Sequence, residues 1–298
     1  MTHFAVSGVD TYWWLPIVVS FCISTLTATG GVSGAFILLP FQISVLGFAG
    51  PAVSPTNLVF NIFAIPSGVY RYAREKRLVA PIVWTSILGT LPGVFLGAIL
   101  RIKYLPNPRY FKLFVAAVLL YLGVRLLMDV TRRKVRAPAV TATKFEVAVR
   151  QFNFRAISYD FNGVTYHIAT PALFGLCLVV GIIGGTYGIG GGAIIAPFLV
   201  TSFGLPIYTI AGAALLGTFV TSIAGVLFYS AIAPLYGQSG LIIRPDWALG
   251  ALFGIGGAAG MYLGARLQRR LPERLIKGIL TSLIAFVVVK YIWEFFKP

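Results

Sequence analysis

Six of the nine residues from Gly184 to Gly192 (GGTYGIGGG) are glycine, and the run sits inside an apolar stretch. Glycine reaches backbone conformations closed to other residues and costs a helix roughly 0.5–1 kcal/mol relative to alanine. A glycine run between two apolar segments therefore marks a break in a helix. A helix that restarts after Gly192 leaves its first N–H groups without intrahelical partners. That end also carries about half a positive charge from the aligned peptide dipoles. In a bilayer, irregular backbone survives only where it is buried in protein or lines a cavity, and broken helices of transporters point their N-termini at anionic groups. The chemistry expected is anion coordination by backbone amides. Gly188, Gly190, Gly191 and Gly192 are its candidates here.

A second, weaker break stands at TGGVSG, Thr29–Gly34, where Gly31, Ser33 and Gly34 are the candidates. Asn57 and Asn61 follow it, four residues apart and so on one helix face. A shift of 157 residues places Asn61 on Thr218, with Thr221 and Ser222 one turn further on. These uncharged side chains could complete the hydrogen bonds of an oxyanion. The competing reading is interhelical hydrogen bonding, worth about 1–2 kcal/mol or less per bond in membranes. Spaced glycines such as Gly256, Gly260 and Gly264 are read as close helix packing instead.

No bond-making chemistry is expected. The eight acids are Asp10, Glu75, Asp129, Glu146, Asp160, Asp246, Glu273 and Glu294, and neither they nor His3 and His167 fall mid-span. Ser/His/Asp and Cys/His pairings are missing from the apolar runs, so there are no catalytic residues to name. Cys22 and Cys177 form no CxxC or Cys/His cluster, and neither a metal site nor a cofactor is indicated.

The positioning elements follow from composition. The 298 residues are 58% hydrophobic, which excludes an ordinary soluble domain. Basic residues concentrate in the loops between apolar runs, so the net charge of +16 reads as membrane topology and not as nucleic-acid binding. No basic segment precedes the first apolar run, so no secretory signal peptide is expected. Apolar helices are expected over about 15–28, 35–48, 56–72, 80–100 and 109–128, then 169–183, 193–203, 207–232, 247–267 and 272–296. Between them, residues 129–168 form a basic cytoplasmic linker. Its alternating Phe145, Val147 and Val149, and Tyr159 and Phe161 beside Asn162-Gly163, predict a small β-hairpin.

The halves repeat. The 157-residue shift also lays Pro40 on Pro197, Phe41 on Phe198 and Gly34 on Gly191, and a shift of 167 lays Gly93 on Gly260 and Gly97 on Gly264. The expectation is an all-α polytopic membrane protein of two inverted repeats. Each repeat is a glycine-broken pair of short helices plus three transmembrane helices. The first membrane repeat is residues 1–128, the second 169–298. Whether the broken pair spans or re-enters is open. The positive-inside rule then puts the N-terminus outside and the basic 71–77, 125–155 and 266–277 stretches inside.

GGVSGAFILLPF (Gly30–Phe41), GIGGGAIIAPF (Gly188–Phe198) and the polar-spotted helix after each resemble the sulfite exporter TauE/SafE family of membrane transporters. The resemblance covers nearly the whole chain as two tandem copies. It implies a secondary transporter, an exporter by preference, of a small sulfur-containing anion such as sulfite or an organosulfonate. It also implies residence in a bacterial inner membrane. An anion channel, or transport of another small anion, stays open as the alternative, and a homodimer is compatible with the sequence. The expected partners are the anionic substrate and the lipid bilayer, with no nucleic acid.

Overall fold

The computed structural model describes residues 1–29, 33–74, 78–131, 147–161, 163–267 and 273–297. The first half holds α1 (Trp14–Thr29), α2 (Ala35–Ser44), α3 (Val53–Ala64), α4 (Pro66–Arg74), α5 (Ala80–Lys103) and α6 (Pro108–Thr131). The second holds α7 (Thr170–Tyr187), α8 (Gly192–Phe203), α9 (Ile207–Ile232), α10 (Trp247–Leu267) and α11 (Glu273–Phe296). Six described helices, α5, α6, α7, α9, α10 and α11, are long and apolar enough to cross a membrane, while α1 and α2 are shorter apolar helices.

Before α1 the chain forms a two-stranded sheet, in which β1 (Thr2–Phe4) pairs antiparallel with β2 (Val9–Thr11). Three expectations need correction. The segment between the halves is a three-stranded antiparallel sheet, one strand more than a hairpin, made of β3 (Val147–Phe152), β4 (Ala156–Phe161) and β5 (Val164–Ala169). Its β4–β5 turn lies where the Asn-Gly pair predicts it, with Gly163 at φ +79°, although Asn162 itself lies outside the described residues. The helix expected over 56–72 is two helices. Pro66 lacks the N–H that would continue α3 and instead opens α4, a position that suits its fixed φ. Ile223 stands at the equivalent place in α9, which runs unbroken. Finally, α7 continues through Gly184 and Gly185 to Tyr187, so the break is confined to Gly188–Gly191. The basic residues Lys76, Arg77, Arg132, Arg133, Lys134 and Arg136 lie outside the described residues.

Glycine sets the tightest helix pairs. On α10, Gly256, Gly260 and Gly264 press against the carbonyl oxygens of Ile17, Phe21 and Thr25 of α1. On α5, Gly89, Gly93 and Gly97 press against those of Phe174, Leu178 and Ile182 of α7. A Cβ at any of these six would sit inside van der Waals contact, so only glycine lets the backbones approach this closely. The six contacts are the same three in each half: a shift of 167 carries the α5 glycines onto those of α10, and 157 carries the α1 carbonyls onto those of α7. Helix packing was the reading expected for the α10 glycines.

Contact order along the helices gives their directions. Gly68 meets Leu215 while Gly225 meets Leu58, so α3–α4 and α9 run antiparallel. Gly123 faces Ile284 while Lys112 reaches Glu294 at 2.6 Å, so α6 and α11 do too. One end of the bundle gathers the end of α4, the starts of α5 and α9, and the sheet: Gly212 packs on Tyr72 and Leu78, and the hydroxyls of Tyr159 and Thr209 lie 2.9 Å apart. At the sheet, burial pushes the Tyr159 phenol up to about 12. Donation from Thr165 and from Arg150 holds Asp160 below the usual carboxylate range. The opposite end carries β1–β2, where Ser7 donates to Asp246 at 2.8 Å while the same carboxylate caps α10 through the Leu249 N–H.

Candidate functional site

The α7–α8 break is built by backbone geometry before any side chain enters. The N–H groups of Gly188 and Ile189 both return to the Gly184 carbonyl, at 2.8 and 3.0 Å, which closes α7. Gly188, Gly190 and Gly191 hold φ of +86°, +69° and +83°. Side-chain-bearing residues rarely adopt such values. The Gly191 carbonyl then accepts from Ile194 and Ile195, starting α8. At the other break the Gly34 carbonyl accepts from Ile37 and Leu38, the same pair under the 157-residue shift. Both short helices thus begin with their N–H ends facing a break.

Asn57 and Asn61 are fully buried. Asn57 Nδ2 donates to Gly188 O at 2.9 Å and to Ala35 O at 3.0 Å, while its Oδ1 accepts from Gln42 at 3.2 Å. Asn61 Nδ2 donates to Ile189 O at 3.3 Å and its Oδ1 accepts from Ser33 at 3.1 Å. The pair is therefore a clasp between α3, the start of α2 and the α7–α8 break. Of the two expected roles, the interhelical bond is occupied. Both N–H groups of the Asn57 amide are spent, whereas Asn61 keeps one among the described residues.

The second half supplies a different set. Thr221 Oγ1 donates to Gly190 O at 3.1 Å and to Gly217 O at 2.8 Å. Thr218 Oγ1 turns back to Ala214 O at 2.8 Å and presents its methyl to Gly190. A Cβ on Gly190 would lie 2.8 Å from that methyl and 2.9 Å from Ser222 Oγ. Ser222 is buried, and among the described residues its hydroxyl has no hydrogen-bond partner. Ser33, Gly34, Asn57, Asn61, Gly188, Gly190, Gly191, Thr218, Thr221 and Ser222 thus surround the two breaks. Gly192 opens α8, and Gly31 lies outside the described residues.

Sequence reasoning missed four residues. Gln42 is bonded to Asn57, and its own Oε1 is buried without a partner among the described residues. Ser54 Oγ donates to Thr186 O at 3.0 Å, and Tyr187 OH donates to Phe36 O at 2.7 Å. Thr186 Oγ1 donates across to Gly97 O at 3.0 Å. Gln42 was visible as the one amide in the apolar run AFILLPFQIS, and Thr186 and Tyr187 as the two non-glycine residues inside GGTYG.

Charge is absent from this region among the described residues. The buried charged side chains among the described residues are Arg101 and Asp246, both away from the breaks at the bundle end that carries β1–β2. Arg101 donates to the carbonyls of Leu105, Ala49 and Gly50 and stacks 3.6 Å from the Phe111 ring centroid. Among the described residues no group of His, Cys, Asp and Glu could hold a metal ion. The arrangement offers a ligand neutral donors only: helix-start N–H groups, one Asn61 N–H and the Ser222 hydroxyl.

A family model described as Sulfite exporter TauE/SafE matches residues 16–291. Neither the curated proteins nor the solved structures contain a significant match.

Proposed function

The chain belongs to the sulfite exporter TauE/SafE family of membrane transporters, and we propose that it exports a small sulfur-containing anion, sulfite or an organosulfonate, by alternating access between two inverted repeats. The site is the space between the two glycine breaks. The observation that carries this reading is the clasp by Asn57 and Asn61, which ties the first repeat to the break of the second.

Inversion is supported by the antiparallel course of equivalent helices, α3–α4 against α9 and α6 against α11. The duplicated glycine–carbonyl contacts support a two-fold axis relating the repeats. Under that axis each break is presented from its own side of the membrane, and a small rocking of one repeat against the other opens the site to one side at a time. The basic 71–74 and 266 positions and the sheet share one bundle end. The positive-inside rule assigns that end to the cytoplasm and the N-terminus to the outside of a bacterial inner membrane.

An anion leaves its water shell only if donors replace it. Helix-start amides and the Ser222 hydroxyl supply them without a fixed cation, which favours release as well as capture. A membrane potential, negative inside, adds about 2.3 kcal/mol per charge per 100 mV in the direction of export. The test is counterflow in proteoliposomes. Vesicles loaded with unlabelled sulfite, taurine or sulfoacetate should accumulate the labelled anion transiently and saturably. Uptake that never exceeds equilibrium, and that grows linearly with concentration, would replace the carrier by an anion channel.

A further inference from the structure

The β3–β4 turn is pinned to the first residue of a spanning helix. Thr170 opens α7, its N–H donates to Arg155 O at 3.2 Å, and its hydroxyl donates to Asn153 O at 2.8 Å. Asn153 in turn accepts the N–H groups of Arg155 and Ala156 on its side-chain oxygen, at 2.9 and 2.8 Å, which fixes the turn itself. A rigid tip thus stands where α7 enters the bilayer, at the end of the bundle that holds the sheet.

That tip reads Phe152-Asn153-Phe154-Arg155, with Phe154 94% and Phe152 53% exposed. Single exposed aromatics are common on soluble surfaces. Here two stand together on an ordered turn, beside the exposed guanidinium of Arg155 and one hydrogen bond from the start of a membrane span. The exposed surface continues along α7 through Phe174. Phe152 pairs with Ile157 and so shares its face of the sheet. The rest of that face is committed, since Ile157, Tyr159, Phe161 and Ile168 are buried in the core, which leaves Phe152 at its uncovered edge beside the turn.

We propose that the Phe152–Arg155 tip is a membrane anchor: the two phenyl rings enter the headgroup–acyl boundary and Arg155 meets phospholipid phosphate. Aromatic rings and arginines favour that depth. Arg150 does not add to the charge, because it is paired with Asp160. The occupant is therefore the bilayer surface, continuous with the lipid-facing side of α7. The anchor holds the sheet, through Tyr159 and Thr209, against the start of α9.

The experiment is nitroxide labelling of Phe154→Cys in a Cys22→Ala, Cys177→Ala chain reconstituted in phosphatidylglycerol-containing nanodiscs. Collisions with oxygen, which concentrates in lipid, are compared with those of a water-soluble nickel chelate. Phe174→Cys on the exposed face of α7 gives the lipid reading. Val164→Cys at the far end of the sheet gives the water reading. The expected result is that the label at 154 relaxes faster with oxygen than with nickel, as at 174. A nickel-dominated response at 154, equal to that at 164, overturns the anchor and leaves the tip as a solvated turn.

Discussion

Asn57 Nδ2 lies 2.9 Å from the carbonyl oxygen of Gly188, across 131 residues of sequence. The same nitrogen also holds Ala35 O, so one amide group joins the helix after the first break, the helix start inside it and the backbone of the second break. Neither carbonyl is free to turn toward a ligand while this bond stands. In the proposed site Asn57 is therefore assigned a holding role, with both of its amide N–H groups already bonded.

Removing that amide should cost stability before it costs chemistry. Asn57→Leu leaves the Gly188 and Ala35 carbonyls and the Gln42 amide buried without this partner, and each such group costs about 1–3 kcal/mol. The expected outcome is a clear fall in Tm in detergent, with transport lost. Asn57→Asp should do the same, since a carboxylate accepts but cannot donate. Thr218→Val is the contrast. Among the described residues the Thr218 hydroxyl bonds only the Ala214 carbonyl of its own helix, which keeps its helical N–H partner, so this variant should lose about 1 kcal/mol or less.

The glycine stripes predict a second pattern. Gly93→Ala and Gly260→Ala force a methyl into the Leu178 and Phe21 carbonyls. Helices must separate to relieve it, and overpacking of this kind costs about 1–3 kcal/mol. Gly175→Ala, where a Cβ would meet nothing within 4 Å, should leave Tm level or raise it, because alanine is the better helix former by about 1 kcal/mol. Thermal unfolding of the three variants checks the contrast. A drop for Gly175→Ala as large as for the other two would contradict it.

Much of this was legible in the chain. The spans from Ile207 to Ile232 and from Trp247 to Leu267 coincide with α9 and α10, because long apolar runs bounded by proline, tryptophan or basic residues admit little else. The break between Gly188 and Gly191 was legible because only glycine tolerates its φ values. Its start was misplaced by four residues, because Gly184 and Gly185 serve packing: Gly185 presses on Val94. Period and composition do not separate a glycine that lets a helix approach from one that ends it. The clasp was legible only as polar residues on one face. Its acceptors are main-chain carbonyls, which carry no sequence signal. The strand left out was β5, which follows the Asn-Gly turn: it fully buries Ile168 alone and shows no clean inward alternation.

Arg101 predicts a third result. It is fully buried, its three carbonyl partners sit on the α2–α3 and α5–α6 connections, and no carboxylate pairs with it among the described residues. Lysine offers a single ammonium and cannot present a planar fork or stack on Phe111 in the same way. Arg101→Lys should therefore lower Tm and raise hydrogen exchange at residues 49–52. Unchanged protection there would show that the connections hold without the guanidinium.

Gly190 and Ser222 give the sharpest test of the site. At Gly190→Ala two penalties coincide, a φ of +69° and a Cβ facing Thr218 Cγ2 and Ser222 Oγ. This variant should fall in both stability and transport. Ser222→Ala separates the two. The serine hydroxyl makes no hydrogen bond among the described residues, so its loss removes no such bond and Tm should hold or rise slightly. If that hydroxyl donates to the transported anion, losing it should raise KM roughly 2–10-fold, the equivalent of one hydrogen bond of about 0.5–1.5 kcal/mol, with the maximal rate less affected. Saturation curves for sulfite and one sulfonate in proteoliposomes decide the point. An unchanged KM for both, in a chain of unchanged Tm, would move the anion away from Ser222 and toward the first break, where Ser33 and the start of α2 would have to hold it.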